Sequence, residues 1–208
     1  MALLHDAELR PSKLELLAAW LPTRSWYSGS AEPELTRVAA CRFDDPAGEV
    51  GIETMLVRDG DGPVLHTPLT YRGAPLEGAE EWLVGTMEHS VLGSRWIYDA
   101  CGDPVYAAVL AHAILTGGGE AEEYLDAGGE VRRRDPAMTV RGSGSYETAS
   151  LDGPGHVSDG DPTIMRFGTT QLAVVRLPGP DLHDEALRLT GVWPGAQPAV
   201  LAYARRAD

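Results

Sequence analysis

Hydrophobic and polar positions along this chain change period several times, and each change marks an element. Behind Ser12, a residue suited to cap a helix, Leu14, Leu17, Ala18 and Leu21 recur at helical spacing until Pro22 ends the run, which predicts a first helix. Leu35 to Phe43 and Val50 to Val57 read as strands, and Asp44-Asp45-Pro46-Ala47-Gly48 between them reads as a turn, so an antiparallel hairpin is expected. After a second turn at Asp59-Gly60-Asp61-Gly62, Leu65, Thr67, Leu69 and Tyr71 alternate with His66, Pro68 and Thr70. That pattern predicts a third strand from Val64 to Tyr71, and Pro68, which has no N–H for a ladder, predicts an edge position or a bulge within it. Ala79 to Val84 fits a single helical turn.

The clearest stretch runs from Gly85 to Leu115. Thr86 to Glu88 and Arg95 to Tyr98 straddle Leu92-Gly93-Ser94, which predicts a hairpin. Asp103 can then cap a helix whose first position suits Pro104. Val105, Val109 and Ala113 with Tyr106, Leu110 and Ile114 give this helix a wide apolar face, fit to lie across a sheet. Gly117-Gly118-Gly119 stops it, and Ala121 to Leu125 reads as another short helix. From Gly128 the texture changes to short strands: Glu130 to Arg134, Met138 to Arg141, Thr163 to Phe167, Gln171 to Leu177, Ala186 to Trp193 and Ala199 to Ala204. Between them, residues 142–161 are rich in Gly, Ser and Asp and read as a long loop. The expected class is α+β: a helix packed on an antiparallel sheet over residues 1–127, followed by a second β-rich portion over residues 128–208.

Composition narrows the partners. At 208 residues the chain is long enough for one sizeable core or two small lobes. No apolar run approaches the roughly 20 residues of a membrane helix, and the start lacks the order of a signal peptide, so a soluble cytoplasmic protein with no membrane partner is expected. A net charge of -14 repels phosphate backbones, and Arg132-Arg133-Arg134 is too short to reverse that field, so nucleic acid is not an expected partner. Cys41 and Cys101 lack metal-ligand spacing and read as buried thiols.

Candidate chemistry is thin. Lys13 is the only lysine and asparagine is absent, so neither a P-loop nor a protein-kinase set of lysine, aspartate and asparagine can be assembled from this sequence. His66 and His89 have no HxH or HExxH spacing, His89-Ser90 point to opposite faces of a strand, and no GxSxG elbow occurs. Asp99 and Asp103 flank a turn and a helix start, positions that call for carboxylates without catalysis; a general-acid pair of Glu88 and Asp99 is the sharper alternative. Trp20, Trp26 and Tyr27 crowd one turn, either closing the core or forming a ligand platform.

Three stretches in order carry a family resemblance: WLPTRSWYSG from Trp20 to Gly29, PLTYRGAPLEG from Pro68 to Gly78, and EHSVLGSRWIYDACGDPVY from Glu88 to Tyr106. Together they resemble the N-terminal cap region of maltokinases and related actinobacterial sugar kinases, across about the first 125 residues. Ser25 stands where that family tends to have arginine, with Arg24 one place earlier, and Ser30 replaces its usual basic residue. The resemblance implies a cystatin-like cap and a stand-alone cap-like protein without a kinase catalytic lobe. The function it implies is a non-catalytic binding or regulatory module, acting on a protein of sugar or storage-polysaccharide metabolism or on a small ligand, with no cofactor. The rival expectation is a small-molecule-binding protein or enzyme with a pocket between the main helix and the sheet, lined by Trp26, Tyr27, Trp96 and Tyr98 and flanked by Asp99. A third is an oligomer paired through an exposed strand edge.

Overall fold

The computed structural model describes residues 2–5, 7–127, 130–146, 151, 155–180 and 186–206. Among the described residues, two α-helices and three sheets make a mainly β member of the α+β class. The largest sheet is antiparallel and orders β2 (Leu9–Arg10), β7 (Leu83–His89), β8 (Gly93–Asp99), β6 (Leu69–Arg72), β4 (Gly51–Asp59) and β3 (Leu35–Phe43), with β5 (Val64–His66) also on β4. A six-stranded antiparallel sheet orders β11 (Thr139–Gly142), β15 (Leu187–Val192), β16 (Ala199–Arg206), β14 (Thr170–Gly179), β13 (Thr163–Phe167) and β12 (His156–Ser158). A small third sheet sets β9 (Glu123–Ala127) between β1 (Ala2–His5), which is parallel to it, and β10 (Glu130–Arg134).

Both helices start where their cap residues require. Ser12 accepts from the backbone N–H of Glu15 and the Glu15 carboxylate reaches back to the Ser12 N–H, a reciprocal box at the head of α1 (Lys13–Trp20). Asp103 accepts from Val105 N–H at the head of α2 (Pro104–Thr116), with Pro104 at its first position and left-handed Gly117 at its end. The last carbonyls of α2 are then taken up by a distant segment: Gly144 N–H donates to Ile114 O at 2.8 Å and Tyr146 N–H to Leu115 O at 2.9 Å. A Cβ on Gly144 would strike the Leu115 carbonyl, so only glycine allows this approach.

The seven-stranded sheet is covered on both faces. Leu17, Trp20 and Leu21 of α1 and its following turn pack on Met55, Val57, Leu65, Leu69, Met87 and Ile97. On the opposite face, Tyr106, Leu110 and Ile114 of α2 pack against Ala39, Cys41, Phe43, Ile52 and Leu56, and the same cluster continues into Met138, Val140, Leu172, Val174, Leu189 and Leu201. The helix therefore lies between two sheets, and its apolar cluster draws on residues from both sides of position 128. Cys41 and Cys101 are buried free thiols.

Three elements differ from the sequence pattern. The strand expected from Val64 to Tyr71 is interrupted at Thr67-Pro68, yet its register on β4 is kept from the Leu56–His66 pair to the Glu53–Leu69 pair. Thr67 bridges the gap by donating its backbone N–H and its hydroxyl to Met55 O, and Pro68 lies beyond the last β6–β8 pair at Leu69–Asp99, where the ladder asks no N–H of it. Residues expected as a helix from Ala121 to Leu125 enter β9, because pairing with β1 and β10 overrides a weak local preference. Within the expected loop of residues 142–161, His156–Ser158 forms β12 on β13; residues 147–150 and 152–154 lie outside the described residues.

One buried charge pair joins the two large sheets. Arg176 in β14 donates to Asp99 at the end of β8 at 2.6 Å, and neither side chain has exposed surface. Its Nε donates to Thr163 Oγ1 at 2.8 Å, and its backbone N–H to Asp161 Oδ1 at 2.8 Å. The Trp26 ring covers the guanidinium at 4.8 Å, while the Trp26 indole N–H donates to Asp159 at 2.9 Å. Beside them, His66 is fully buried with Nδ1 3.0 Å from Val175 O. Burial first, and the Arg176 charge second, push its pKa down to about 3, so its ring is neutral near neutral pH.

Two predictions follow from this pair and its neighbour. Asp99→Asn leaves a buried guanidinium without its counter-charge, and urea denaturation is expected to show a loss of about 3–5 kcal/mol. His66 binds a proton when unfolded near pH 6.5 but not when folded until about pH 3. Its contribution is therefore full above pH 6.5 and is lost as pH falls, by about 1.4 kcal/mol per pH unit. Urea unfolding between pH 6.5 and 4 is expected to show a shallower pH slope for His66→Gln than for the unchanged protein.

Candidate functional site

The residues singled out in the sequence perform structural work. Trp26 is buried on Arg176, and Trp20 meets it edge-on at 6.1 Å between ring centroids. The Tyr27 hydroxyl donates to Asp59 at 2.7 Å, and Asp59 also accepts from the backbone N–H groups of Ser30 and Glu34, which ties the loop after Trp26 to the end of β4. Ser25, at the position where arginine was expected, donates to Asp159 at 3.4 Å. Tyr98 is buried and its hydroxyl accepts from Leu76 N–H at 2.9 Å, and Trp96 is partly buried against the α2 cluster. The space between α2 and the seven-stranded sheet is packed with side chains, and Trp26, Tyr27, Trp96, Tyr98 and Asp99 are not gathered round an opening there.

The other candidates are likewise engaged. Glu88 accepts from Ser94 Oγ at 2.6 Å near the β7–β8 turn, at the other end of β8 from Asp99, so no carboxyl pair forms. His89 Nδ1 accepts from Val91 and Leu92 N–H at 3.2 and 3.1 Å and holds that turn. Ser90 accepts from Glu8 N–H. Asp103 caps α2 and accepts a bidentate pair from Arg72, both contacts at 2.7 Å.

A cleft of about 520 Å³ opens elsewhere, over the other face of the sheet at the β3–β4 turn. Lys13, Arg42, Tyr71, Asp45, Glu49 and Arg95 contribute to its walls, with His89 and Leu92 at its rim. Asp45 is fixed by its own turn, accepting from Ala47, Glu49 and Val50 N–H at 2.9–3.0 Å. Gly73 leaves room for Arg95, since a Cβ there would lie 2.7 Å from the guanidinium.

At one side of the cleft stands a polar cluster that neither the spacing nor the motifs disclosed. Glu53, an acid within the apolar run of β4, is buried, and one oxygen accepts from Lys13 Nζ at 2.5 Å and from the Tyr71 hydroxyl at 2.6 Å, with Arg42 at 3.7 Å. Lys13 and Arg42 both lie against the Tyr71 ring, at 5.1 and 5.8 Å from its centroid. Burial alone would raise the Glu53 pKa, but Lys13 and Arg42 overcome it and set it at about 2. Burial lowers the Lys13 pKa, and the neighbouring Arg42 and Arg37 add to that against the pull of Glu53. Burial and the Glu53 charge hold the Tyr71 hydroxyl protonated. The cluster thus gathers Lys13, Tyr71 and Arg42 round one buried carboxylate. Two signals for it stood in the sequence: the single lysine, placed at a helix start, and a glutamate among apolar strand residues.

No curated protein matches the chain. Residues 20–103, from the last residue of α1 to the residue that caps α2, match the family model described as the maltokinase N-terminal cap domain. Strands β3 to β8 of the seven-stranded sheet thus lie within the matched residues, and that part of the chain is similar to the maltokinase N-terminal cap domain.

Proposed function

We propose that the chain is a non-catalytic binding module of sugar or storage-polysaccharide metabolism, built on a cystatin-like cap and working in the cytoplasm. Its ligand is a polar, hydroxyl-rich small molecule of the sugar class, held in the cleft beside Lys13, Arg42 and Tyr71. The observation that carries this reading is the cleft of about 520 Å³ on a maltokinase cap-like domain. Its polar groups are preset: Lys13 and Tyr71 are already hydrogen-bonded to Glu53, so little ordering remains to be done on binding. The one lysine of the chain is committed to that carboxylate, which supports recognition over phosphoryl transfer.

A thermal-shift screen with mono- and oligosaccharides tests the proposal, because a ligand that binds only the folded state raises the melting temperature. At a hundred times its Kd, a sugar is expected to add about 2.7 kcal/mol, roughly 5–10 °C for a chain of this size. The shift should shrink with Arg95→Ala, whose side chain lines the cleft without an ion pair among the described residues. No shift with any sugar contradicts the ligand class, and transfer of phosphate from ATP to maltose or glucosamine by the purified protein contradicts the non-catalytic reading.

A further inference from the structure

Behind the Lys13–Arg42 side of the cleft lies a second, smaller cavity of about 90 Å³ between the outer face of β3 and the β9–β10 pair. Four cations, Lys13, Arg37, Arg42 and Arg134, face it together with two carboxylates, Glu53 and Glu123, a surplus of two positive charges in a chain whose net charge is -14. The placement of each cation is specific. Lys13 occupies the first position of α1, where the positive end of the helix dipole opposes a cation. Arg37 owes its direction to a bulge: the register of β3 on β4 slips between Arg37 and Ala39, pairing Arg37 with Val57 and Ala39 with Leu56. Without the extra residue, Arg37 would share the face of Ala39, Cys41 and Phe43, which is the α2 core. With it, Arg37 joins Ala40 and Arg42, opposite Val57, Met55 and Glu53.

The donors so gathered are not used up. Arg42 stands 3.7 Å from Glu53 and Arg134 stands 4.0 Å from Glu123, both beyond hydrogen-bond length, and Arg37 makes no ion pair among the described residues. Three guanidiniums, each with five N–H donors, therefore point charge at one small space without a hydrogen-bonded acceptor among the described residues. Ala40 and Ala137 keep that space open. Its volume suits a tetrahedral anion and is too small for a sugar ring.

We propose that this cavity binds a tetrahedral oxyanion of the phosphate type, either the free ion or the end group of a small phosphate monoester, on Arg37, Arg42 and Arg134, with the Lys13 charge beside them. The site goes beyond the sugar cleft and does not depend on it: a protein that binds no sugar still binds the anion. The bulge and the helix start bring like charges together at a cost to the free protein, and the bound dianion neutralises the surplus. Arginine forks match the tetrahedral oxygens in pairs, which a halide cannot exploit.

Calorimetric titration with inorganic phosphate and with glycerol phosphate, at constant ionic strength set with sodium chloride, tests it. Saturable binding of phosphate is expected, weakened about ten-fold or more by Arg37→Gln and by Arg134→Gln. Arg37 and Arg134 are exposed side chains, so both variants are expected to keep the melting temperature of the unchanged protein, which is measured alongside. Binding of glycerol phosphate as well identifies the site as one for an ester end group, and binding of phosphate alone identifies a site for the free ion. No binding beyond the chloride background, or binding undiminished in the double variant, overturns the proposal.

Discussion

A guanidinium with no exposed surface must find its counter-charge inside the protein, and Arg176 finds it in Asp99 at 2.6 Å. The pair sits where the last residue of β8 meets the middle of β14, so it fixes how the two large sheets face one another across α2. The rest of the interlock depends on it. Trp26 covers the guanidinium, Thr163 and Asp161 hold its Nε and backbone N–H, and His66 reaches the backbone one residue before it. Buried pairs of this kind add little net stability over apolar residues, but a misplaced sheet would strand a charge, so the pair selects one packing. The WLPTRSWYSG stretch, where Trp26 lies, is thereby a brace between α1 and the six-stranded sheet.

Away from that brace, the outer face of β3 and β4 carries a different kind of polar group. There Glu53 gathers Lys13, Tyr71 and Arg42 at the border of two cavities, one large and mixed in charge, the other small and basic. The buried pair at Asp99 has no exposed surface, whereas the group at Glu53 lines open space on two sides. Burial of charge serves packing in the first case and presentation in the second. The curvature of β3 at its bulge sets which side chains reach that surface.

Much of the local structure was legible in the sequence. Ser12 and Asp103 cap the two helices as their positions require, and the hairpin expected from Leu35 to Val57 is formed by β3 and β4. Local patterns could reveal these because each depends on residues within one or two turns. Pro68 marks the break between β5 and β6 that its missing N–H calls for, while Thr67 beside it keeps the chain on β4 through two bonds to Met55 O. The candidate site was legible only in part. Lys13 and Glu53 are 40 positions apart and Asp99 and Arg176 are 77 apart, and a pairing at that distance leaves no periodic trace. Aromatic residues drew attention to Trp26 and Tyr98, which the packing then used for the core. A charged residue in an apolar strand, Glu53 in β4 or Arg176 in β14, was the better signal in both cases.

The central claim is that one charge pair and one apolar cluster unite the cap-like sheet and the six-stranded sheet into a single cooperative core. Native-state hydrogen exchange measures this most directly, since each amide reports the free energy of the smallest opening that exposes it. The amides of β6 and β8 and those of β14 and β16 are expected to exchange only through the same global unfolding, with equal free energies and equal denaturant slopes. Two distinct free energies, with the β14 and β16 amides exchanging while β6 and β8 stay protected, would contradict it.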